Sequence, residues 1–145
     1  MFLKAKAVGK VGYFGLSTHK NAQEVLEAAI ETGWYDWSTK SLAHDTSTLV
    51  ELQGLLKRAR EAGIGLIGMK TVRYLAPFWS LGKGDSAAFD HLYGEKFKSS
   101  SLNPFQRAYA YVLQHGIDVV NADMQNFKHL EENIIATATA DRYFS

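Results

Sequence analysis

Gly63-Ile64-Gly65-Leu66-Ile67-Gly68-Met69-Lys70 is the stretch that decides the fold. A short apolar run opened by glycine and closed by lysine reads as a strand buried on both faces, the kind a parallel sheet uses. Val11-Gly12-Tyr13-Phe14-Gly15-Leu16-Ser17-Thr18-His19 has the same plan, with a strand expected over Val11 to Leu16 and a polar tip after it. Helical sequence or a loop follows each run. Strands that carry polar groups at their C-terminal ends, ahead of a helix, are how β/α enzymes arrange their chemistry.

Working outward, the first few residues read as a helical tail that ends before Gly9-Lys10. Asn21-Ala22-Gln23-Glu24 has the spacing of a capping box, in which side chain and backbone satisfy each other at a helix start. Val25, Leu26, Ala29 and Ile30 then recur at helical spacing, and Gly33 supplies the stop. Thr46 to Thr48 can cap a second helix, with Thr48 and Glu51 as a further box. Leu49, Leu52, Leu55, Leu56 and Ala59 form its apolar face, and Lys57, Arg58, Arg60 and Glu61 its wet face. Asn103-Pro104-Phe105-Gln106 is a strong helix start, and that helix runs to Gly116. Ile117 to Val120 is a short strand. Asn126 caps a last helix, whose Leu130, Ile134, Ile135 and Ala138 are expected to face inward.

One strand position is poor. Trp37-Ser38-Thr39-Lys40-Ser41-Leu42-Ala43 lacks the Val/Ile/Leu run that a buried parallel strand wants. Its polar residues suit a surface from which an aggregation-prone apolar patch or edge has been removed. The order is β-α-β-α-β-α-β-α, which implies an α/β fold with a mostly parallel sheet and right-handed crossovers. One domain spans residues 1–145, with a long loop from Val72 to Ser101 inside it.

Composition narrows the function classes. Hydrophobic residues are 46% and charged residues 21%, enough for a packed core and too little charge for wholesale disorder. A net charge of +1 gives no basis for a nucleic-acid partner. The absence of cysteine removes disulfides, thiolate metal sites and a cysteine nucleophile, and fits a reducing, cytoplasmic setting. The opening Met1-Phe2-Leu3-Lys4-Ala5-Lys6-Ala7 is too short and charged for a signal peptide, and no apolar run is long enough to span a bilayer, so no membrane partner is expected. His19, His44, His91, His115 and His129 show no His-x-x-x-His spacing, so no metal site is assigned. Gly15-Leu16-Ser17-Thr18-His19 puts histidine where a hydrolase elbow needs its second glycine.

Tyr13-Phe14-Gly15-Leu16-Ser17-Thr18-His19 resembles the end of the fifth barrel strand of aldo-keto reductases. Gly63 to Lys70 looks like that family's seventh strand. Gly116-Ile117-Asp118-Val119-Val120, followed by Leu130-Glu131-Glu132-Asn133, looks like its eighth strand and the helix on the cofactor side. The resemblance covers nearly the whole chain in order and implies the C-terminal half of a (βα)8, or TIM, barrel that reduces carbonyls with NADPH. The family's catalytic Asp, Tyr, Lys and His sit on the first four strands, which this chain does not resemble, so no catalytic residue is assigned.

The resemblance carries over some cofactor contacts. Ser17 matches the serine at the nicotinamide carboxamide, and Thr18 stands where asparagine is commoner. Lys70 occupies the family's Met-Lys position, and Glu132 and Asn133 match the Glu-Asn pair near the adenine. The arginine expected for the 2′-phosphate aligns with His129, a weaker partner for a dianion than a bidentate guanidinium. The glutamine of the sixth strand falls in the Thr39 to Ala43 region, which has none. The implied molecule is an engineered or truncated half-barrel of four βα units. It either dimerises or rearranges to an open parallel sheet. No catalysis and no cofactor are expected of it alone. Weak NADP(H) binding, or completion of a reductase by a partner chain, are the alternatives the resemblance leaves open.

Overall fold

A computed structural model describes residues 2–41, 47–72, 101–122 and 124–143, with backbone alone at 39–41, 47–51 and 139–143. Nine elements alternate along the described residues. They are α1 (Phe2–Ala7), β1 (Gly15–Thr18), α2 (Ala22–Thr32), β2 (Trp37–Ser41), α3 (Ser47–Glu61), β3 (Gly65–Met69), α4 (Pro104–Gln114), β4 (Val119–Asn121) and α5 (Phe127–Tyr143). The four strands form one parallel sheet in the order β1-β2-β3-β4. The Val72–Ser101 loop expected from sequence falls almost wholly outside the described residues.

Sequential order has a consequence. When neighbouring parallel strands are joined by right-handed crossovers, every crossover helix lands on the same side of the sheet. The core agrees: Leu26 and Ala29 of α2, Leu55, Leu56 and Ala59 of α3, and Ala108, Tyr111 and Val112 of α4 share one cluster with Ile64, Leu66 and Ile117. Register fixes which strand positions meet it. Leu16, Ser38 and Leu66 lie in one row across the sheet, and Ser38 and Leu66 are buried. The adjacent rows point the other way because side chains alternate along a strand. Trp37 is 37% exposed there and Val119 55%.

The poor strand is β2, and it is an inner strand paired on both sides. Its backbone is satisfied by two neighbours, so it forms without the expected apolar run. Ser38 therefore does not face water: it is 5% exposed, under the helix layer. The expectation that Ser38 belongs to a water-facing polar patch or edge is corrected on that point. The first strand also starts later than expected, at Gly15 rather than Val11.

Helix ends follow local chemistry in three cases and depart from it in one. Asn103 and Gln106 form a complete capping box, with side-chain to backbone bonds of 2.9 Å in both directions. Asn126 Oδ1 accepts from the His129 amide at 3.0 Å, as expected of a cap. Gly33 closes α2 in the left-handed conformation. Asn21, however, sits at φ 52°, ψ 41° and makes no side-chain cap bond. A capping side chain needs an extended backbone at its own residue, and the left-handed one removes it from reach. The Thr48–Glu51 box involves side chains outside the described set.

The last helix is rotated from expectation. Ala136 is fully buried, and Glu132 and Asn133 are half-buried with it. Gln106 Nε2, buried on α4, donates to the Glu132 carbonyl at 3.0 Å, tying the two helices together. Leu130, Ile134 and Ile135, expected inward, are 38%, 56% and 48% exposed, and Ala138 is exposed too. The small Ala136 face allows close approach to α4. Phe127, Leu130 and Ile134 recur at helical spacing on the opposite flank of α5.

Candidate functional site

The C-terminal ends of the strands are where a parallel α/β sheet presents its chemistry. Ser17, near the end of β1, is exposed. Thr18 is half-buried, its hydroxyl donates to the Lys20 carbonyl, and it lines a void of about 10 Å³ with Ala22, Leu26, Ser38 and Leu56. That void lies in the sheet–helix core and is about water-sized. Lys70 follows β3 directly, exposed, at φ 59°. This left-handed turn ends the strand and directs the chain into Thr71, which is 1% exposed and whose hydroxyl has no hydrogen-bond partner among the described residues.

Glu132 and Asn133 occupy the second turn of α5. Their backbones are engaged there: the Glu132 carbonyl accepts from Gln106, and the Asn133 carbonyl accepts from the Thr137 hydroxyl at 3.0 Å. The Glu132 carboxylate lies 3.9 Å from Nζ of the exposed Lys128, a long one-turn pair worth little. Ser17 and Thr18 are on β1, and α5 follows β4, at the far edge of the sheet. Three strand spacings separate those edges, roughly 14 Å. Ser17 and Thr18 thus form one group, Lys70 another near the sheet centre, and Glu132 with Asn133 a third packed against α4.

The opposite end of the sheet holds carboxylates that the sequence reading did not single out. Asp36, just before β2, accepts the Phe14 amide at 2.7 Å and Lys6 Nζ at 2.9 Å on each oxygen. The Phe14 amide, and Lys6 after it, hold this carboxyl below the usual aspartate range. Asp118, just before β4, accepts the Leu66 amide at 2.9 Å and lies 3.1 Å from Arg60 Nε. Each aspartate ties the start of its own strand to the start of the preceding described strand. A signal for them is present in sequence: a helix-stopping glycine followed within three residues by aspartate, as in Gly33-Trp34-Tyr35-Asp36 and Gly116-Ile117-Asp118.

A groove of about 690 Å³ opens between α3 and the end of α4, lined by Lys57, Arg60, Gln114 and His115 among others. Arg60 is turned to Asp118, and Lys57 lies 3.9 Å from Glu61. His115 caps α4, its Nδ1 2.7 Å from the Tyr111 carbonyl and its ring stacked on Tyr111 at 4.0 Å. Burial pushes the Tyr111 hydroxyl up from the ordinary tyrosine value. Among the described residues no three His, Asp or Glu side chains converge as a metal site, and no helix is long and apolar enough to cross a membrane. Compared with known proteins, the chain matches no family model, and no curated protein matches it.

Proposed function

We propose that the chain is a structural half-barrel without catalytic activity of its own, akin to the cofactor-side half of an aldo-keto reductase, and that it functions as a pair with a second copy. The observation that carries this is the sheet order. Four parallel strands in sequential order, with the helix core on one side, have the topology of four consecutive units of a closed barrel. Two strand edges, β1 and β4, bound the sheet. Trp37 and Val119 are exposed on the face away from the helices, and the Phe127–Leu130–Ile134 flank of α5, turned away from α4, is exposed. A second copy related by a twofold axis parallel to the strands places its β1 beside the first copy's β4, and the reverse. One contact type then covers both edges.

Size-exclusion chromatography with light scattering tests this. The expected mass is about twice the 16.2 kDa of the chain. A cooperatively folded species of single-chain mass at micromolar concentration rejects the pairing.

A nucleotide role, as an NADP(H)-binding module or as one subunit of a reductase completed by another chain, is the other reading the family resemblance supports. Ser17, Thr18 and Lys70 at strand ends suit it. The pairing reading is preferred because the sheet order supports it, whereas these five residues match by resemblance alone. Calorimetric titration with NADPH is expected to show no saturation up to about millimolar cofactor, the weak end of ordinary affinities. A saturable heat that disappears in Lys70→Ala reverses that assignment.

A further inference from the structure

The N-terminal helix α1 contributes no buried residue. Two side chains hold it. Lys6 Nζ lies 2.9 Å from both oxygens of Asp36 and 5.8 Å from the centre of the Phe14 ring. Phe2 meets the same ring edge-on, with centroids 5.5 Å apart and planes at 76°. The chain then passes through Gly9, at φ 71° with open space around it, and Gly12, likewise in open space, before β1 begins.

The strand starts beneath α1 do not depend on it. The Asp36 amide donates to the Phe14 carbonyl at 2.8 Å, Trp37 N–H to the same carbonyl at 3.3 Å, and Gly65 N–H to the Asp36 carbonyl at 3.0 Å. Asp36 would keep its bond from the Phe14 amide with Lys6 gone. A helix of six residues, by contrast, is far below the length of about 12–15 at which an isolated helix becomes even marginal in water. Once its side chains let go, α1 has no reason to stay helical.

We infer that α1 is a releasable strap, hinged at Gly9–Gly12 and latched across the starts of β1 and β2 by Lys6 on Asp36 and Phe2 on Phe14, which leaves while the sheet stays folded. Release uncovers the Phe14 ring and one side of the Asp36 carboxylate and frees Lys6. Acid works the latch through Asp36. The groups facing that carboxylate are the Phe14 amide and Lys6, and Lys6 is the one charged partner among the described residues. The pKa of Asp36 is depressed in the folded chain, so the latch holds at neutral pH and is lost as pH falls through a value below the ordinary aspartate range.

Hydrogen exchange on the whole chain tests the strap, comparing wild type with Lys6→Met, which keeps the aliphatic stem, and Lys6→Arg, which keeps the charge. In Lys6→Met the amides of residues 6–10, the ones α1 and its C-terminal turn hold in hydrogen bonds, are expected to exchange about tenfold faster or more, with those of β3 and α4 unchanged. Lys6→Arg retains protection. After correction for intrinsic rates, wild type reproduces the Lys6→Met pattern on acidification below the ordinary aspartate range, and Lys6→Met shows no such step. Unchanged protection of residues 6–10 in Lys6→Met overturns the latch. Loss of protection in β3 and α4 together with α1, in either the variant or acid, overturns independent release, because α1 would then be part of the cooperative core.

Discussion

Replacing Leu56 by alanine is expected to destabilise the domain by about 2–5 kcal/mol, the range for large-to-small changes at buried leucines. Leu56 is 2% exposed and sits where three layers of contact meet. It belongs to the cluster that joins α2, α3, β3 and α4. Its Cβ and Cδ1 also come within 3.8 and 3.9 Å of the position a Cβ would take at Gly116, the residue that turns α4 toward β4. It already borders the small void beside Thr18 and Ser38, so the removed methyl groups would enlarge an existing cavity rather than open a site that can collapse. A domain of this size has a typical total stability of about 5–15 kcal/mol, so the loss is a large fraction of it. Urea unfolding should show a lower midpoint with an unchanged slope. A change under about 1 kcal/mol would mean that the packing around Leu56 is looser than its burial indicates.

The same residues show how far sequence reading reaches. Leu55, Leu56 and Ala59 were legible as a core stripe because helical periodicity reports one face of an isolated element. Alternation of strands and helices was legible for the same reason, and so were the Asn103 and Asn126 caps, whose chemistry is local. What periodicity cannot report is which neighbour an apolar face meets. The last helix has two candidate faces, Ala136 on one side and Phe127, Leu130 and Ile134 on the other, and packing on α4 selects the smaller. Hydrophobicity alone favours the larger. β2 was hard to read because its support is backbone pairing on both edges plus the Asp36 anchor at its start, none of which appears in a hydropathy pattern. Asn21 was misread because capping depends on a backbone conformation that residue type does not determine.

The candidate site was legible only as a set of polar positions at strand ends. Ser17 and Lys70 are exposed at those ends, which residue order alone could place. That Glu132 and Asn133 are held against α4, an edge away from Ser17, depends on tertiary packing. The carboxylates Asp36 and Asp118 escaped notice for the converse reason. A single aspartate after a glycine is common in loops, and only parallel pairing brings its oxygens to the amide of another strand.

Gly15 is the position where the open face of the sheet is most tightly specified, and Gly15→Val is expected to cost about 1–3 kcal/mol, the usual range for overpacking. Gly15 pairs in register with Trp37, whose indole lies across it. A Cβ added at Gly15 would stand 1.8 Å from Trp37 Cε2 and 2.1 Å from Cζ2, inside any tolerable contact. The ring must therefore leave. Trp37 is already 37% exposed, so it can swing toward solvent, which keeps the penalty to lost ring burial and strain rather than global unfolding. The partner change tests the cause. In Trp37→Ala the obstruction is gone, so Gly15→Val in that background should cost far less and can gain from β-branching in a strand. A double-mutant cycle should return a coupling of about 1 kcal/mol or more between the two positions. Additive effects would show that the ring does not rest on Gly15, and the apolar lining of that face would then lose its best-defined contact. Tryptophan fluorescence separates the two outcomes directly: a displaced indole in Gly15→Val emits at longer wavelength, whereas an undisturbed one keeps the parent spectrum.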